Sequence, residues 1–207
     1  MTASAAASAA ASAAASAGVL PDRSPPGPVA AWVSGEPVLV AEVEHRLARL
    51  RASDRACVLP QADGREGRQL RRWVTQVVVV ERLCVAELAA RGLGWQGDGT
   101  PGMPSSSEAV ALGSVAAAAW AGHPAVRRAL LVLTEAVRLP DSVAADASRL
   151  GATAAGAMVW SLDELLTSAR MDAFSKWLAR VAHERVRLTP GYEHPGDSSQ
   201  PDNLHRH

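Results

Sequence analysis

The longest regular pattern in the sequence lies in residues 68–91, which read RQLRRWVTQVVVVERLCVAELAAR. Apolar side chains recur there at intervals of three and four residues, at Leu70, Trp73, Val77, Val80, Cys84 and Leu88. This spacing predicts one long amphipathic helix, and Gly92 stands where a helix C-cap is expected. The valines at 77–80 lose rotamer freedom in a helix. We therefore expect tertiary burial on several sides of this helix to outweigh the propensity.

The segment before this helix predicts a hairpin followed by a shorter helix. Two apolar runs, at residues 29–33 and 38–40, flank the turn Ser34-Gly35-Glu36-Pro37, which is typical of a hairpin. A helix over residues 41–52 is predicted by a single apolar stripe, which consists of Val40, Val43, Leu47 and Leu50.

Residues after the long helix predict further helices and a final strand. Ser105 and Glu108 have the spacing of a capping box, which predicts a helix through Trp120. Pro124 opens the next helix, which Pro140 ends and whose face is formed by Val126, Leu130, Leu133 and Val137. A weaker pattern allows a helix over residues 142–150.

A second capping box, at Ser161 and Glu164, opens another long helix. One side of this helix is predicted to carry Leu162, Leu166, Ala169, Ala173, Trp177 and Val181. Val186 and Leu188 then alternate with arginines, as in a strand that pairs with the hairpin. The pattern predicts a mainly α protein: a five- or six-helix bundle with a small N-terminal β-hairpin and a C-terminal strand.

Composition divides the chain into three parts and excludes several functions. Residues 1–28, rich in Ala, Ser and Pro, are predicted to be a disordered extension, residues 29–189 a helical domain, and residues 190–207 a polar tail. The 21 basic and 21 acidic residues cancel, which argues against nucleic-acid binding by phosphate neutralisation. Two cysteines exclude a disulfide framework and a four-cysteine zinc site.

The first residues lack the basic start and the apolar core of a secretory signal. We therefore expect a cytoplasmic protein with no membrane partner. We also expect no cofactor.

Tryptophan is over-represented among the aromatic residues, with six Trp beside one Phe and one Tyr. Tryptophan is common where an apolar surface must also satisfy an N–H group, as at protein interfaces. The candidate binding residues are Trp73, Trp95, Trp160, Trp177 and Tyr192. Trp73 and Trp177 lie on apolar stripes, so the alternative is that they fill a core that is short of large side chains.

The tail contains imidazole and carboxylate groups close together in the sequence. A metal site could be formed by His194, His205 and His207, together with Tyr192 and Glu193. Their spacing matches no standard zinc signature, so a solvated tail with incidental histidines is the alternative. A third interpretation is that the tail packs back over the helices through Tyr192 and Pro195.

The stretch VAAWVSGEPVLVAEVEHRLARLR, residues 29–51, resembles the opening of the SurA-like and PrsA-like foldase chaperones. Those proteins begin with a strand, an Asn-Gly-Glu turn, a short apolar strand and a helix, and Ser34-Gly35-Glu36 stands at that turn here. The segments 68–93 and 172–189 are similar to later elements of the same module. The resemblance implies a helical peptide-binding module. Members of that family with prolyl isomerase activity carry a parvulin domain of mixed strands and helices. Residues 105–160 read instead as Ala-rich helices, so prolyl isomerase activity is not expected.

The chain also resembles small actinobacterial proteins associated with antibiotic gene clusters, some of them labelled acyl-carrier malonyltransferases. Gly113-Ser114 lacks the Gly-x-Ser-x-Gly elbow that such chemistry needs. We predict a non-catalytic module, chaperone-like or accessory to a biosynthetic enzyme, that holds an apolar segment of a protein partner in a groove between helices. The alternative is a small enzyme or metal-dependent accessory factor in aromatic-polyketide-type secondary metabolism. Self-association through Ala-rich faces is a further possibility.

Overall fold

The described part of the computed structural model comprises residues 25–54, 56–95, 103–143, 145–146, 149 and 161–200. Its elements, in chain order, are β1 (Val29–Val33), β2 (Glu36–Leu39), α1 (Val40–Arg51), α2 (Arg65–Ala90), α3 (Ser106–Gly122), α4 (Pro124–Leu133), α5 (Leu162–Arg185) and β3 (Val186–Leu188). A 3-10 turn covers Ala56–Val58, and the described residues between 141 and 149 are helical. The predicted mainly α architecture is confirmed.

Several predictions concern residues outside the described ranges. They include Trp160, His205, His207 and all but the last four residues of the N-terminal extension.

A three-stranded antiparallel sheet has the order β2-β1-β3. Val33 pairs with Glu36 across the turn Ser34-Gly35, and both turn residues have positive φ, 53° and 87°. This backbone favours Gly at the second position and matches the twist of a tight hairpin. β3 pairs with the other edge of β1, and the Ser34 N–H donates to the Arg185 carbonyl at 2.8 Å. The end of α5 is thereby attached to the hairpin, as the sequence predicted.

α2 lies between two clusters of buried side chains and contributes to both. The first, called here the alanine-rich cluster, consists of Val77, Cys84, Leu88, Leu112, Ala116, Ala119, Ala125, Val126, Ala129, Leu130, Met171, Phe174 and Leu178. The second, called the valine-rich cluster, consists of Ala30, Ala31, Val33, Val38, Val43, Leu47, Val74, Val78, Val79, Leu83 and Val181. Within the run at 77–80, Val77 and Val80 therefore contact the alanine-rich cluster, whereas Val78 and Val79 belong to the valine-rich cluster. Burial on both sides offsets their low helix propensity, as expected.

α3 and α4 meet at a sharp corner. The predicted capping box opens α3, with the Ser105 side chain accepting from the Glu108 N–H and the Glu108 carboxylate accepting from the Ser105 N–H. α3 is interrupted at Gly113, which adopts φ 78° and ψ 162°, a conformation that residues with a Cβ rarely take. His123 caps α4, where its Nδ1 accepts from the Ala125 N–H at 3.2 Å.

No single helix among the described residues has the length and hydropathy needed to cross a membrane. α3 and α4 meet that criterion only as a pair, with a bend of 119° between them.

Two predicted helix faces are correct only in part, because Val126, Leu130 and Val181 are buried as predicted but other members are not. α4 ends at Leu133, so Val137 lies beyond it and does not extend the face of Val126 and Leu130. The buried face of α5 carries Met171, Phe174, Leu178 and Val181, whereas Leu162 is 43% exposed. α5 has apolar residues on more than one side, and the larger side chains, not the alanines at 169 and 173, face the alanine-rich cluster. Periodicity alone does not distinguish such faces.

Candidate functional site

Trp73 on α2 and Trp177 on α5 lie where the two clusters meet. Both side chains are half-buried, and each packs against the alanine-rich and the valine-rich cluster. The Trp73 Nε1–H donates to the Ser114 Oγ on α3 at 3.4 Å. Trp177 stacks on Phe174, with ring centroids 5.5 Å apart and planes inclined by 23°. We call Trp73, Trp177 and Ser114 the tryptophan seam.

The break in α3 at Gly113 shapes one wall of the seam. Ser114, the residue after the break, is exposed and accepts the Trp73 hydrogen bond. The Ser175 hydroxyl of α5 donates to the carbonyl of Ala111, just before the break, at 3.5 Å. A helix interruption frees backbone groups, and here a neighbouring helix supplies a partner. The seam therefore joins three helices at a point where one of them is irregular.

Tyr192 belongs to the same region, although it comes from the predicted tail. It packs against the valine-rich cluster, which Trp73 and Trp177 also contact. Its carbonyl accepts a hydrogen bond from Gln76 Nε2 at 3.4 Å. Three of the predicted binding residues thus border one cluster, and the tail packs over the helices, as the third interpretation of the tail proposed.

Trp95 is separated from the seam. It follows the C-terminal end of α2, whereas Trp73 lies in the N-terminal part of that helix. Its ring contacts the imidazole of His123, with centroids 4.7 Å apart. The structure therefore does not bring Trp95 together with Trp73, Trp177 and Tyr192, and Trp160 lies outside the described residues.

A second arrangement of polar groups surrounds Glu81 on α2. Only 5% of this residue is exposed. Its Oε2 accepts a hydrogen bond from Arg46 Nη2 on α1, while Oε1 has no hydrogen-bond partner within the described part of the chain. A Cβ atom placed on Gly122 would lie 3.1 Å from Oε1. The carboxyl group therefore joins α1 to α2 and faces the corner between α3 and α4.

Burial dominates the electrostatics of Glu81 and raises the pKa of its carboxyl to about 7. The charges of Arg46 and Arg82 lower that pKa, and the charge of Glu42 raises it. Burial, followed by the charges of Arg46 and Arg82, lowers the pKa of His123. Glu81 can therefore gain a proton near neutral pH, but the surrounding protein shields it from molecules in solution.

The two cysteines differ in exposure. Cys57 is exposed in the 3-10 turn, and Cys84 is buried in α2. Burial, together with the negative charges of Glu81 and Glu87, raises the pKa of the Cys84 thiol. A thiol held in its protonated form is a poor nucleophile.

One geometric observation bears on the predicted metal site in the tail, and it concerns His194. The His194 Nδ1 accepts a hydrogen bond from the Gly196 N–H at 3.0 Å, so this nitrogen serves a local turn. Among the residues that the structure describes, no three His, Cys, Asp or Glu side chains form a metal-binding group. His205 and His207 lie outside those residues, so their metal-binding role stays a prediction.

Polar residues on α2 that border the seam and the corner were missed by the sequence analysis. Arg72 and Gln76 hold the tail, and Glu81 holds α1. All three lie within the amphipathic segment 68–91, and a polar group that becomes buried needs a partner. The sequence signal for these contacts was therefore the presence of polar residues within a helix that is buried on both sides.

Comparison with known proteins adds one partial match. A family of unknown function, DUF7158, matches residues 29–66. These residues comprise the hairpin, α1 and the connection to the start of α2. No curated protein and no solved structure matches the chain. The match includes neither Trp73 nor Trp177.

Proposed function

We propose that the protein is a non-catalytic binding module that holds an apolar segment of a protein partner against the tryptophan seam. The observation that carries this proposal is the position of Trp73 and Trp177, two half-buried indoles at the junction of two core clusters. A half-buried indole offers a large apolar surface with few rotatable bonds, so ordering it on binding costs little entropy. Such side chains contribute strongly to protein interfaces.

The surroundings of the seam also favour an apolar segment as the occupant. The Phe174 ring stacks on the ring of Trp177 and holds it in one orientation before binding. Trp73 is oriented by its hydrogen bond to Ser114. Pre-oriented groups reduce the entropy lost on association. The module is chaperone-like or accessory to another enzyme, and its partner is a protein or peptide.

Binding of short peptides tests this function directly. Fluorescein-labelled 12-residue peptides of constant net charge and graded apolar and aromatic content are titrated with the full chain, and binding is followed by fluorescence anisotropy. We expect peptides with aromatic residues to bind in the range of about 1–100 μM, as for a small apolar interface. Trp73→Leu and Trp177→Leu are expected to weaken binding about tenfold or more.

Matched variants separate loss of binding from loss of structure. Trp120→Leu replaces a half-buried tryptophan of the alanine-rich cluster outside the seam and should bind peptides like the wild type. Ser114→Arg changes an exposed residue of the seam and should block binding without opening the core. Ala179→Arg adds the same charge to an exposed position of α5, about 200° around the helix from Trp177. Equal binding by Ser114→Arg and Ala179→Arg would contradict the proposal, as would peptide-independent dimerisation through the seam.

A further inference from the structure

The segment of residues 190–200, called here the docked tail, is attached to α2 by hydrogen bonds from two side chains. Arg72 Nε donates to the Gly191 carbonyl at 3.3 Å, and Arg72 Nη2 donates to the Gln200 Oε1 at 3.1 Å. Gln76 Nε2 donates to the Tyr192 carbonyl at 3.4 Å. α2 therefore holds both ends of a segment that lies more than a hundred residues away in the chain.

The side chains that form the Arg72–Gln200 contact are both buried. Arg72 is 5% exposed, and Gln200 is 9% exposed. A buried guanidinium group is costly unless its hydrogen bonds are made, and residues of the docked tail accept two of them. Burial raises the pKa of the Glu193 carboxyl. Hydrogen bonds, including one from the Gly191 N–H, and the charge of Arg72 outweigh burial, so the net effect is a lowered pKa of Glu193.

The chemistry of the contact resembles recognition of a peptide. Two of the three hydrogen bonds from α2 end on main-chain carbonyls, which any peptide segment offers. Tyr192 adds an aromatic side chain against the valine-rich cluster. The Tyr192 N–H donates to the carbonyl of Thr189, just before the docked tail, and the Asp197 N–H donates to the His194 carbonyl within it. The segment thus has its own turns and presents one aromatic anchor to α2.

The docked tail lies beside the tryptophan seam. Gln76 is three residues after Trp73 and four after Arg72, so its side chain is a neighbour of both on the helix surface. Tyr192, Trp73 and Trp177 all pack against the valine-rich cluster. A segment bound at Trp73 would therefore reach the side chains that hold the tail.

From these contacts we propose that the face of α2 bearing Arg72 and Gln76 is a peptide-binding site, occupied in the free protein by the chain's own tail. A partner segment with an aromatic residue displaces the tail, takes over the hydrogen bonds from Arg72 and Gln76, and extends over the seam. This inference rests on the proposed function and adds its regulation, because the tail is a built-in competitor of the partner.

The test uses the tail sequence as a probe in trans. A fluorescein-labelled peptide of residues 189–200, TPGYEHPGDSSQ, is titrated with the full chain and with full-chain variants. The loosened variant combines Tyr192→Ala with Gln200→Ala, and Ser198→Ala is the control at an exposed tail position. We expect the loosened variant to bind the probe at least about tenfold more tightly than the wild type and the control. A probe with alanine in place of tyrosine is expected to lose this gain.

Circular dichroism and thermal unfolding establish that the loosened variant is folded. Equal affinity of the wild type and the folded loosened variant for the probe would overturn the inference, and so would absence of binding to both.

The apolar peptides described under the proposed function distinguish the two proposals. They should bind the loosened variant more tightly than the wild type, because the competitor has been weakened. If they bind both proteins equally, the tail is not a competitor and only the inference fails. If they bind neither protein while the tail probe still binds the loosened variant, the proposed function fails and the competition with it.

Discussion

The alanine-rich and valine-rich clusters share α2 but are filled by different side chains. Among the described residues, seven of the eleven buried members of the valine-rich cluster are valine, and none is larger than leucine. The alanine-rich cluster contains four buried alanines, with Phe174 and Met171 as its largest members. Four half-buried tryptophans surround it, namely Trp73, Trp95, Trp120 and Trp177.

This difference explains where the apolar surface of the protein comes from. Alanine lets helices approach closely but fills little volume, so large residues at the rim must complete the packing. An indole is too large for the narrow space that remains, and part of each ring stays in contact with solvent. The tryptophan seam follows from this arrangement, because it lies where the alanine-rich cluster ends and the valine-rich cluster begins.

The largest expected effect is the removal of the main bulky side chain from the alanine-rich cluster. Phe174→Ala should lower the free energy of unfolding by about 4 kcal/mol, since the small neighbours cannot extend into the cavity. Leu47→Ala in the valine-rich cluster should cost about 3 kcal/mol. Both values are measured by chemical denaturation. The exposed Leu131, replaced by alanine, serves as the control and should change stability by less than about 0.5 kcal/mol.

A cost for Phe174→Ala below that of Leu47→Ala would contradict the comparison. It would show that the alanine-rich cluster relaxes into cavities more readily than the valine-rich one.

The next effect concerns Glu81, which lies on the helix shared by both clusters. Burial raises the pKa of its carboxyl from 4.5 to about 7 in the folded protein, so the native state binds this proton more tightly than the unfolded chain. The contribution of Glu81 to stability is therefore complete below pH 4.5 and is lost as the pH rises through 7. We expect the free energy of unfolding to fall by up to about 3 kcal/mol over this window.

Glu81→Gln isolates this effect, since glutamine resembles the protonated carboxyl and does not titrate. The variant should be more stable than the wild type at pH 8 and equally stable at pH 4.5. Glu184→Gln, at an exposed position of α5, should retain the wild-type pH profile. Parallel pH profiles for Glu81→Gln and the wild type between pH 4.5 and 8 would exclude Glu81 as the group responsible.

The smallest effect sharpens the comparison at the start of α3, which supplies two of the four buried alanines of the alanine-rich cluster. Ser105→Ala removes the side-chain cap of this helix and should cost about 1 kcal/mol. Ser106→Ala, one position later, should change stability by less than about 0.5 kcal/mol, because no cap is lost. Thermal unfolding of the two variants measures the difference. An equal effect of both substitutions would show that α3 does not depend on its capping box.

The elements that the sequence predicted correctly are those with a local physical cause. Ser34-Gly35 produces the hairpin because its backbone conformation suits a tight turn. The capping boxes at Ser105 and Ser161 mark the starts of α3 and α5. The predicted end of α4 was wrong and the predicted face of α5 was correct only in part, since both depend on which neighbours are available and not on residue spacing.

The candidate site was predicted in part. Trp73, Trp177 and Tyr192 were identified from residue type, and the structure places all three around one cluster. Their residue type could not reveal that Trp95 lies apart, beside His123. Arg72 and Gln200 are 128 positions apart in the sequence, and Arg46 and Glu81 are 35 apart. No local sequence pattern predicts contacts over such separations.

By itself, the sequence determined the helices, the hairpin and the small-residue character of the core, because turns, caps and periodicity act between near neighbours. It also indicated, as one of two interpretations, that tryptophan would supply the bulk that alanine lacks. Only the tertiary structure decided which face of each helix is buried, which tryptophans share a surface and where the tail docks. Those outcomes depend on contacts between distant segments, where packing and the pairing of buried polar groups select one arrangement among several that local pattern permits.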